Sequence, residues 1–203
     1  MQNINIIPLG PGTYDDAYVY WVDKPIIAEK TKLVFYGGYG TGLGYNIAVA
    51  TIPVTSPFFA MDAEAKDVST HQSSPRNQLV KQGSVIPHGG GGTIDSNMAG
   101  YPAAVYDFKR KRYLVYYLGL NGGGVYAICL AYGTRYNDLT KYNVGGTTTE
   151  IITPGGAYDV SAIAPEAEYD KEENLFKLWY TLQTKVGGYT SRWLATSVDG
   201  IVF

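Results

Sequence analysis

Few residues of this 203-residue chain combine the type and the spacing that catalysis or metal binding requires. His71 and His88 stand seventeen positions apart with no matching Cys or His cluster, so they do not form a metal-ligand pair. The glycine run 89–92 lacks the following Lys-Ser/Thr of a phosphate-binding loop. No nucleophile-elbow motif supports a Ser-His-Asp relay. The sequence therefore predicts no metal and no other cofactor.

Cysteine chemistry is not expected either. The chain has a single cysteine, Cys129, which excludes an intrachain disulfide. Because Cys129 lies within the apolar run 125–132, we expect a buried and inert thiol rather than a nucleophile.

Aromatic residues offer a route to carbohydrate binding. The apolar CH faces of sugar rings stack on Tyr and Trp, while their hydroxyls need polar partners at the same rim. The chain contains 19 Tyr and 3 Trp, most of them in regular strands, where packing between sheets is the alternative role. The candidate substrate-binding residues are Trp21, Tyr101, Tyr158 and Trp193.

Composition excludes several classes of partner. Charged residues make up 17% of the chain, the formal net charge is -2, and no basic cluster exceeds 109–112. This gives no electrostatic footprint for a phosphate backbone, so we expect no nucleic-acid partner. Residues 1–12 lack the pattern of a signal peptide, and no apolar run approaches the roughly 18 residues of a membrane span. We therefore expect no membrane partner and a cytoplasmic or virion location.

The strongest pattern in the sequence is an internal repeat. Two copies begin at Tyr101 and Ala164 and carry aligned prolines, Pro102 and Pro165. A Tyr-Asp pair follows four residues after each proline, and an aromatic-Tyr pair ends fifteen residues after it. A glycine-bearing turn then leads to a further strand. The matched spacing indicates repeated structural units.

A third, less faithful copy covers residues 24–51, where Pro25 precedes the end of the Phe35-Tyr36 pair by eleven residues. A short segment with two adjacent β-branched residues lies before each copy and predicts a fourth strand for each unit. These pairs are Ile6-Ile7, Val85-Ile86 and Ile151-Ile152.

Four antiparallel strands repeated at roughly sixty to eighty residues are typical of propeller blades. One blade cannot bury both of its apolar faces, so copies must stack to enclose a core. We predict an all-β fold: a β-propeller of four-stranded antiparallel blades, with about three blades. A β-sandwich is the alternative, but it leaves the matched spacing unexplained. The predicted units are about 13–51, 93–133 and 157–203, within a single domain of residues 1–203.

Three units are fewer than the roughly four to eight blades of a closed ring. We therefore expect the segment 3–9 to complete a blade, either in the same molecule or in a neighbouring copy of a homo-oligomer. A fragment of a longer propeller is an equal alternative. Residues 52–100 are expected to form an insertion loop, with a linker between domains as the alternative.

Two stretches of the third unit resemble the blade repeat of the five-bladed propeller glycosidases, the arabinanase, β-xylosidase and invertase-like group. They are APEAEYDKEENLFKLWYT, from Ala164, and RWLATSVDGIVF, from Arg192. In that group, segments of the type P-x-V-x-x-D-x-x-Y-x-L-W-Y-S and A-T-S-x-D-G-x-x-F/W recur around the ring. The resemblance is specific for the architecture and less so for activity, because noncatalytic relatives and phage proteins share these repeats.

The resemblance implies carboxylates at the inner ends of the blades: a base, a group that adjusts the pKa of the acid, and a glutamic acid. Breaking a glycosidic bond needs one carboxylic acid to protonate the leaving oxygen and an opposing carboxylate to activate water. The nearest candidates are Asp23, Asp95 and Glu166, with Glu166 as general acid and Asp23 as general base. A turn, a loop cap and a strand end are their respective structural alternatives.

Two functions follow from this pattern. The first is a noncatalytic module for glycan recognition or structural assembly, such as a phage virion component, with a carbohydrate or another protein chain as partner. The second is a glycoside hydrolase that acts on an oligo- or polysaccharide through Glu166 and Asp23. The partial match to the acid set favours the first.

Overall fold

The computed structural model describes residues 17–28, 31–53, 80–152, 159–184 and 190–203. All regular structure within these ranges is β. The strands are β1 (Tyr18–Val22), β2 (Ile26–Ala28), β3 (Thr31–Gly40), β4 (Gly44–Pro53), β5 (Val80–Ile86), β6 (Met98–Asp107), β7 (Arg112–Leu120), β8 (Tyr126–Arg135), β9 (Asp138–Lys141), β10 (Asn143–Val144), β11 (Thr147–Thr148), β12 (Glu150–Ile152), β13 (Asp159–Asp170), β14 (Leu175–Thr184) and β15 (Thr190–Ser197).

Thirteen of the fifteen described strands form three antiparallel groups that correspond to the sequence units, and β10 and β11 pair with each other. In the first blade, β1 and β2 both pair with β3, which is followed by β4 and β5. The second blade consists of β6, β7 and β8, with β9 and β12 on the outer side of β8. The described part of the third blade is β13, β14 and β15. The predicted fold class is confirmed: the protein is an all-β, partial β-propeller.

Neighbouring blades are joined side by side. A single parallel bridge connects Tyr45 of the first blade to Met98 of the second, and another connects Tyr126 of the second to Ser161 of the third. The first strands of neighbouring blades also contact one another, so they form the inner edge of the array. Residues from three blades can therefore meet at this inner edge.

The second blade is covered on both faces. Tyr117 and Cys129 cluster with Phe35 of the first blade, whereas Tyr116 on the other face clusters with Phe176 of the third. Strands buried on both faces are continuously apolar rather than alternating. This explains the runs in β7 and β8, and burial of each such side chain contributes about 1.5–3 kcal/mol.

Cys129 is fully buried, as the sequence predicts. Burial raises the pKa of its thiol well above the usual range, because the thiolate would lose its hydration. A thiol that stays protonated is a poor nucleophile, so Cys129 acts as a core residue.

The hairpin turns repeat in atomic detail. The carboxylates of Asp107 and Asp170 each accept hydrogen bonds from the backbone amides two and three residues further on. Four residues after each aspartate, Lys111 and Asn174 adopt the left-handed backbone conformation, with φ of 51° and 55°. The two predicted Tyr-Asp pairs thus begin the same turn.

The predicted fourth strands are present in the first two blades. Strand β5 contains the Val85-Ile86 pair and β12 contains the Ile151-Ile152 pair, and each lies on the outer side of its blade. Part of the segment 52–100, which the sequence predicts to be an insertion loop, belongs to the sheets. Strand β5 pairs with β4, and the first residues of β6 also lie within this segment. Residues 54–79 of that segment, and the segment 3–9, lie outside the described residues.

A turn after β15 fastens the third blade to the second. The hydroxyl of Tyr116 donates to the carbonyl oxygen of Gly200 at 2.8 Å, and Arg112 Nη2 donates to the carbonyl oxygen of Asp199 at 2.6 Å. Gly200 has φ of 72°, and a Cβ atom there would lie 2.5 Å from Leu114 Cδ1. Glycine is therefore required both for the backbone conformation and for the close approach.

We predict that Gly200→Ala lowers the free energy of unfolding by about 1–3 kcal/mol from overpacking, in addition to about 1 kcal/mol from the left-handed backbone. Urea denaturation measures the loss. Gly146→Ala is the matched control, because Gly146 has φ of 86° and a Cβ atom added there would meet nothing within 4 Å. Equal losses in the two variants would contradict the packing role of the turn.

Candidate functional site

A β-bulge occurs at the same place in the first strand of every blade. The strand register shifts between Tyr20 and Val22, between Gly100 and Ala103, and between Ile163 and Glu166. A residue with left-handed φ marks each bulge: Trp21, Tyr101 and Ala164, with φ of 45°, 50° and 52°. Because these three bulges are equivalent, the residues that follow them are equivalent too.

The second residue after each bulge occupies a common inner position, opposite an aromatic residue of the next strand. The three occupants are Asp23, Ala103 and Glu166, opposite Phe35, Tyr116 and Trp179. The bulges therefore bring two of the three predicted catalytic carboxylates to equivalent positions. The second blade has an alanine there.

This register corrects one detail of the sequence repeat. Val22, and not Pro25, is equivalent to Pro102 and Pro165, since each of the three follows its bulge residue. Pro25 stands three residues after this position, so counting from it makes the first hairpin look much shorter than it is. The difference is one residue: Asp23 precedes its partner Phe35 by twelve residues, whereas Glu166 precedes Trp179 by thirteen.

Asp23 is partly buried between the first two blades. Its Oδ2 accepts a hydrogen bond from the amide of Ala104 at 2.6 Å, and its Oδ1 accepts one from the amide of Lys24 at 2.7 Å. The pKa of Asp23 is raised from 3.8 to about 6, chiefly by burial and to a smaller extent by the negative charge of Glu166, against the lowering effect of the two amides and Lys24. The stabilisation from proton binding is thus present below about pH 4 and is lost as the pH rises through about 6.

Lys24 extends the contact to the third blade. Its Nζ donates to the carbonyl oxygen of Ala167 at 2.5 Å. Ala104 and Ala167 each follow the inner position of their own blade. Asp23 and Lys24 consequently connect the inner strands of all three blades.

Glu166 lies at the exposed side of the same group. It forms an ion pair with Arg192 of β15, and the two side chains are 60% and 54% exposed. An exposed ion pair contributes little to stability, because water and salt screen it. We call Asp23, Lys24, Glu166 and Arg192 the inner group. The sequence alone does not predict a role for Lys24 or Arg192, because their partners lie far away along the chain.

Two of the predicted binding aromatics contact each other. The rings of Trp21 and Tyr101, the two aromatic bulge residues, lie 5.0 Å apart between centroids, and Trp21 is 48% exposed. The ring of Tyr20 packs edge-on against Tyr101, with 5.7 Å between centroids. A Cβ atom at Gly100 would lie 2.5 Å from the Tyr20 hydroxyl, so glycine permits this packing.

The other two predicted aromatics are not part of this cluster. Trp193 is 52% exposed on β15, and its indole Nε1 donates to Ser191 Oγ at 2.7 Å. Its neighbour Leu194 shares the sheet face of Trp179 and Glu166, so Trp193 points to the opposite face. Tyr158 lies outside the described residues, as does His71.

Asp95, the third predicted carboxylate, lies in a separate buried network. Its Oδ2 accepts hydrogen bonds from the Tyr117 hydroxyl at 2.9 Å and from Lys141 Nζ at 2.6 Å, while Thr93 donates to its Oδ1 at 2.9 Å. Asp95 is fully buried, and the structure does not bring it to the inner group. A buried carboxylate that is paired in this way holds the loop before β6 against β7 and β9.

Elsewhere in the described residues, the features that suggest a binding site are weaker. An open cleft of about 670 Å³ is lined by residues 91–94, 96–97, 121–123 and 147–150, none of which is aromatic. Among the described residues, no three His, Cys, Asp or Glu side chains are arranged to hold a metal ion. The same residues contain no helix long and apolar enough to cross a membrane.

No protein-family model matches the chain, and no curated protein matches it. Solved structures do match. Zg3597, a family 117 glycoside hydrolase from the marine bacterium Zobellia galactanivorans, is 15% identical with a TM-score of 0.63, over 89% of this chain and 52% of that one. Fructan 1-exohydrolase IIa from Cichorium intybus is 10% identical with a TM-score of 0.61, over 95% of this chain and 32% of that one.

A third match is an N-acetylgalactosamine deacetylase from F. plautii in complex with blood group B trisaccharide. It is 16% identical with a TM-score of 0.54, over 100% of this chain and 54% of that one. The chain thus spans about half the length of these structures or less. At such low identity the matches show the fold alone: the chain shares the propeller-like fold of glycoside hydrolases.

We predict that Glu166→Gln lowers the pKa of Asp23, because the amide removes the negative charge that disfavours the Asp23 carboxylate. Carbon-13 NMR of the Asp23 carboxyl group should show a wild-type midpoint near 6 and a lower midpoint in the variant. Glu168→Gln is the matched control, since Glu168 is an exposed carboxylate two residues away on the same strand. An unchanged Asp23 midpoint in Glu166→Gln would contradict the coupling.

Proposed function

We propose that this protein is a noncatalytic β-propeller module that binds carbohydrate at the inner edge of its blades. The observation that carries the proposal is the pair of aromatic bulge residues. Trp21 and Tyr101 lie 5.0 Å apart, and Trp21 keeps about half of its surface in water. An exposed indole two residues before Asp23 on the same chain segment suits a sugar ring, which is apolar on its face and polar at its edge.

The polar partners come from the inner group. Glu166 and Arg192 are both more than half exposed, so their free lone pairs and N–H groups can bind sugar hydroxyls. The glycan-related activities of the matched structures support a carbohydrate ligand. One of those proteins is a deacetylase rather than a hydrolase, so the shared fold does not specify one reaction. A phage virion role stays a prediction from the resemblance.

The absence of catalysis is supported by the inner position of the second blade. Ala103 stands between Asp23 and Glu166 in blade order, where the resemblance implies a further carboxylate. Both oxygens of Asp23 accept backbone hydrogen bonds, and Glu166 is paired with Arg192. These contacts hold Asp23 against the backbone and Glu166 against Arg192, and neither carboxylate faces the other across an open gap of the kind that a general acid and a general base need.

A glycoside hydrolase is the second candidate, and one observation favours it. The pKa of Asp23 is raised to about 6, and the negative charge of Glu166 contributes to this rise. Such coupling is expected for two carboxyl groups that share one site. In that case the raised pKa would let Asp23 carry the proton that a general acid donates. This is the reverse of the roles that the resemblance assigns.

Trp21→Ala should weaken carbohydrate binding at least about tenfold, because the variant loses the stacking surface. Isothermal titration against a panel of neutral and acidic oligosaccharides, including fructan oligosaccharides and blood group B trisaccharide, measures the affinity. Phe108→Ala is the control: Phe108 is 51% exposed but lies in the turn between β6 and β7. Equal losses in the two variants, or no binding to any member of the panel, would contradict the proposal.

The noncatalytic role predicts no product from aryl glycosides or from the same oligosaccharides over long incubation. Chromatography of the reducing sugars detects turnover. Release of product that disappears in Glu166→Gln, with the fold retained by circular dichroism, would refute the noncatalytic role and establish the hydrolase.

A further inference from the structure

The polar cleft of about 670 Å³ lies at the end of the second blade where β6 begins, β7 ends and β8 begins. It has three walls: residues 91–94 and 96–97 form the first, residues 121–123 the second, and residues 147–150 the third. These lining residues are distinct from the inner group. A volume of roughly 300–1,000 Å³ is typical of sites that hold a small ligand.

Hydrogen bonds and an ion pair tie the walls together. The backbone amide of Gly122 in the second wall donates to Ser96 Oγ in the first wall at 3.2 Å. The first wall is also fixed from beneath, because the buried Asp95 pairs with Lys141 Nζ at 2.6 Å. Lys141 ends β9, the strand that leads toward the third wall. The buried Asp95 network therefore holds the base of the cleft.

The third wall is stabilised by its own short hairpin. The amide of Thr149 donates to the carbonyl oxygen of Tyr142 at 3.1 Å. The hydroxyl of Thr149 accepts a hydrogen bond from the amide of Val144 at 3.1 Å and donates to the carbonyl oxygen of Thr147 at 2.9 Å. Because the walls are held in place before any ligand binds, binding costs little conformational entropy.

Asn121 shows which groups of the cleft remain for a ligand. Its Oδ1 accepts hydrogen bonds from the amides of Gly123 and Val125 at 2.9 and 3.0 Å. This fixes the orientation of the side-chain amide, because only its oxygen can accept. The Nδ2 group, which carries two donors, makes no hydrogen bond to a described residue. By contrast, the Nδ2 group of the buried Asn46 donates to two carbonyl oxygens.

The other lining groups define the class of ligand. The amide of Asn97 and the hydroxyls of Thr147 and Thr148 line the cleft, and Glu150 is the one charged residue among its described lining residues. None of those residues is Lys or Arg, the usual partners of a phosphate or carboxylate. The N–H donors of Asn121 disfavour a hard metal ion, which needs oxygen ligands. Donors and acceptors together, without a cation, suit a neutral ligand that is rich in hydroxyl groups.

Two glycines of the cleft have no structural reason to be glycine. Gly91 and Gly122 lack a left-handed φ, and a Cβ atom added to either would meet nothing within 4 Å. Gly200 differs, because both its backbone conformation and its close packing require glycine. Glycine is also used where a ligand approaches the backbone closely, which accounts for both residues in the walls of a cleft.

We propose that this cleft is a second binding site, in which the hydroxyl, amide and carboxylate groups of the three walls hold a neutral sugar by hydrogen bonds. The site needs no aromatic stacking surface, and the inference does not depend on binding at the inner edge. Two sites on one module would engage two parts of the same polysaccharide, so the avidity would exceed the affinity of either site.

Nitrogen-15 NMR of the wild-type protein measures the two sites separately. The probes are maltotriose, xylotriose and tri-N-acetylchitotriose, with trigalacturonic acid and calcium chloride as comparisons. The side-chain amide of Asn121 reports on the cleft, whereas the indole N–H of Trp21 reports on the inner edge. We expect saturable shifts of Asn121 with at least one neutral sugar. The acidic sugar should bind there at least about tenfold more weakly, because Glu150 repels its carboxylates.

Gly122→Leu should weaken sugar binding at the cleft at least about tenfold, because the added side chain takes up space while the backbone amide still reaches Ser96. Gly90→Leu is the matched control: Gly90 is not among the described lining residues, lacks a left-handed φ and also has open space around an added Cβ atom. Trp21→Ala should leave the response of Asn121 unchanged. Circular dichroism verifies that each variant is folded.

A cleft that responds to none of the three neutral sugars in the wild-type protein would overturn the proposal. So would equal losses in the two leucine variants, loss of the Asn121 response in Trp21→Ala, or a response to calcium chloride or trigalacturonic acid as strong as that to the neutral sugars. Shifts confined to Trp21 would reject the cleft and retain the inner edge, and shifts confined to Asn121 would do the reverse. The two proposals therefore fail independently.

Discussion

A small antiparallel sheet with apolar side chains on both faces cannot persist alone in water, and this constraint governs the whole structure. The second blade shows its effect most directly, because Tyr117 packs toward the first blade while Tyr116 packs toward the third. Stacking of the sheets also places their first strands side by side. Lys24 can therefore reach Ala167 from a different blade. The inner edge thus results from the stacking that buries the apolar faces of the sheets.

At that inner edge, a repeated backbone carries side chains that are not repeated. The three bulges share one conformation, but their residues are an indole, a phenol and a methyl group, at Trp21, Tyr101 and Ala164. Two residues further on, two acids flank an alanine in blade order. Burial of Asp23 against the second blade raises its pKa and ties its oxygens to amides. The same packing therefore positions this carboxylate and disfavours its charged form.

The sequence predicts what depends on local spacing and misses what depends on distant partners. The β-rich fold, the Tyr-Asp turns and the fourth strands of two blades follow from short motifs whose chemistry repeats. The equivalence of Val22 with the two prolines was hidden, because a bulge is a backbone feature that does not require a particular residue. The pairing of Asp95 with Lys141 was hidden as well, since 46 residues separate them. Features that depend on neighbouring residues were therefore predictable, whereas contacts between residues far apart in the sequence were not.

Because the left-handed bulge recurs with three unrelated side chains, the scaffold tolerates diversity at those positions. An aromatic side chain and a small one are both compatible with this backbone conformation, so the surrounding sheet need not change between them. A substitution at one of these three positions would accordingly change the chemistry of the inner edge, while the residues that pack between the sheets stay the same.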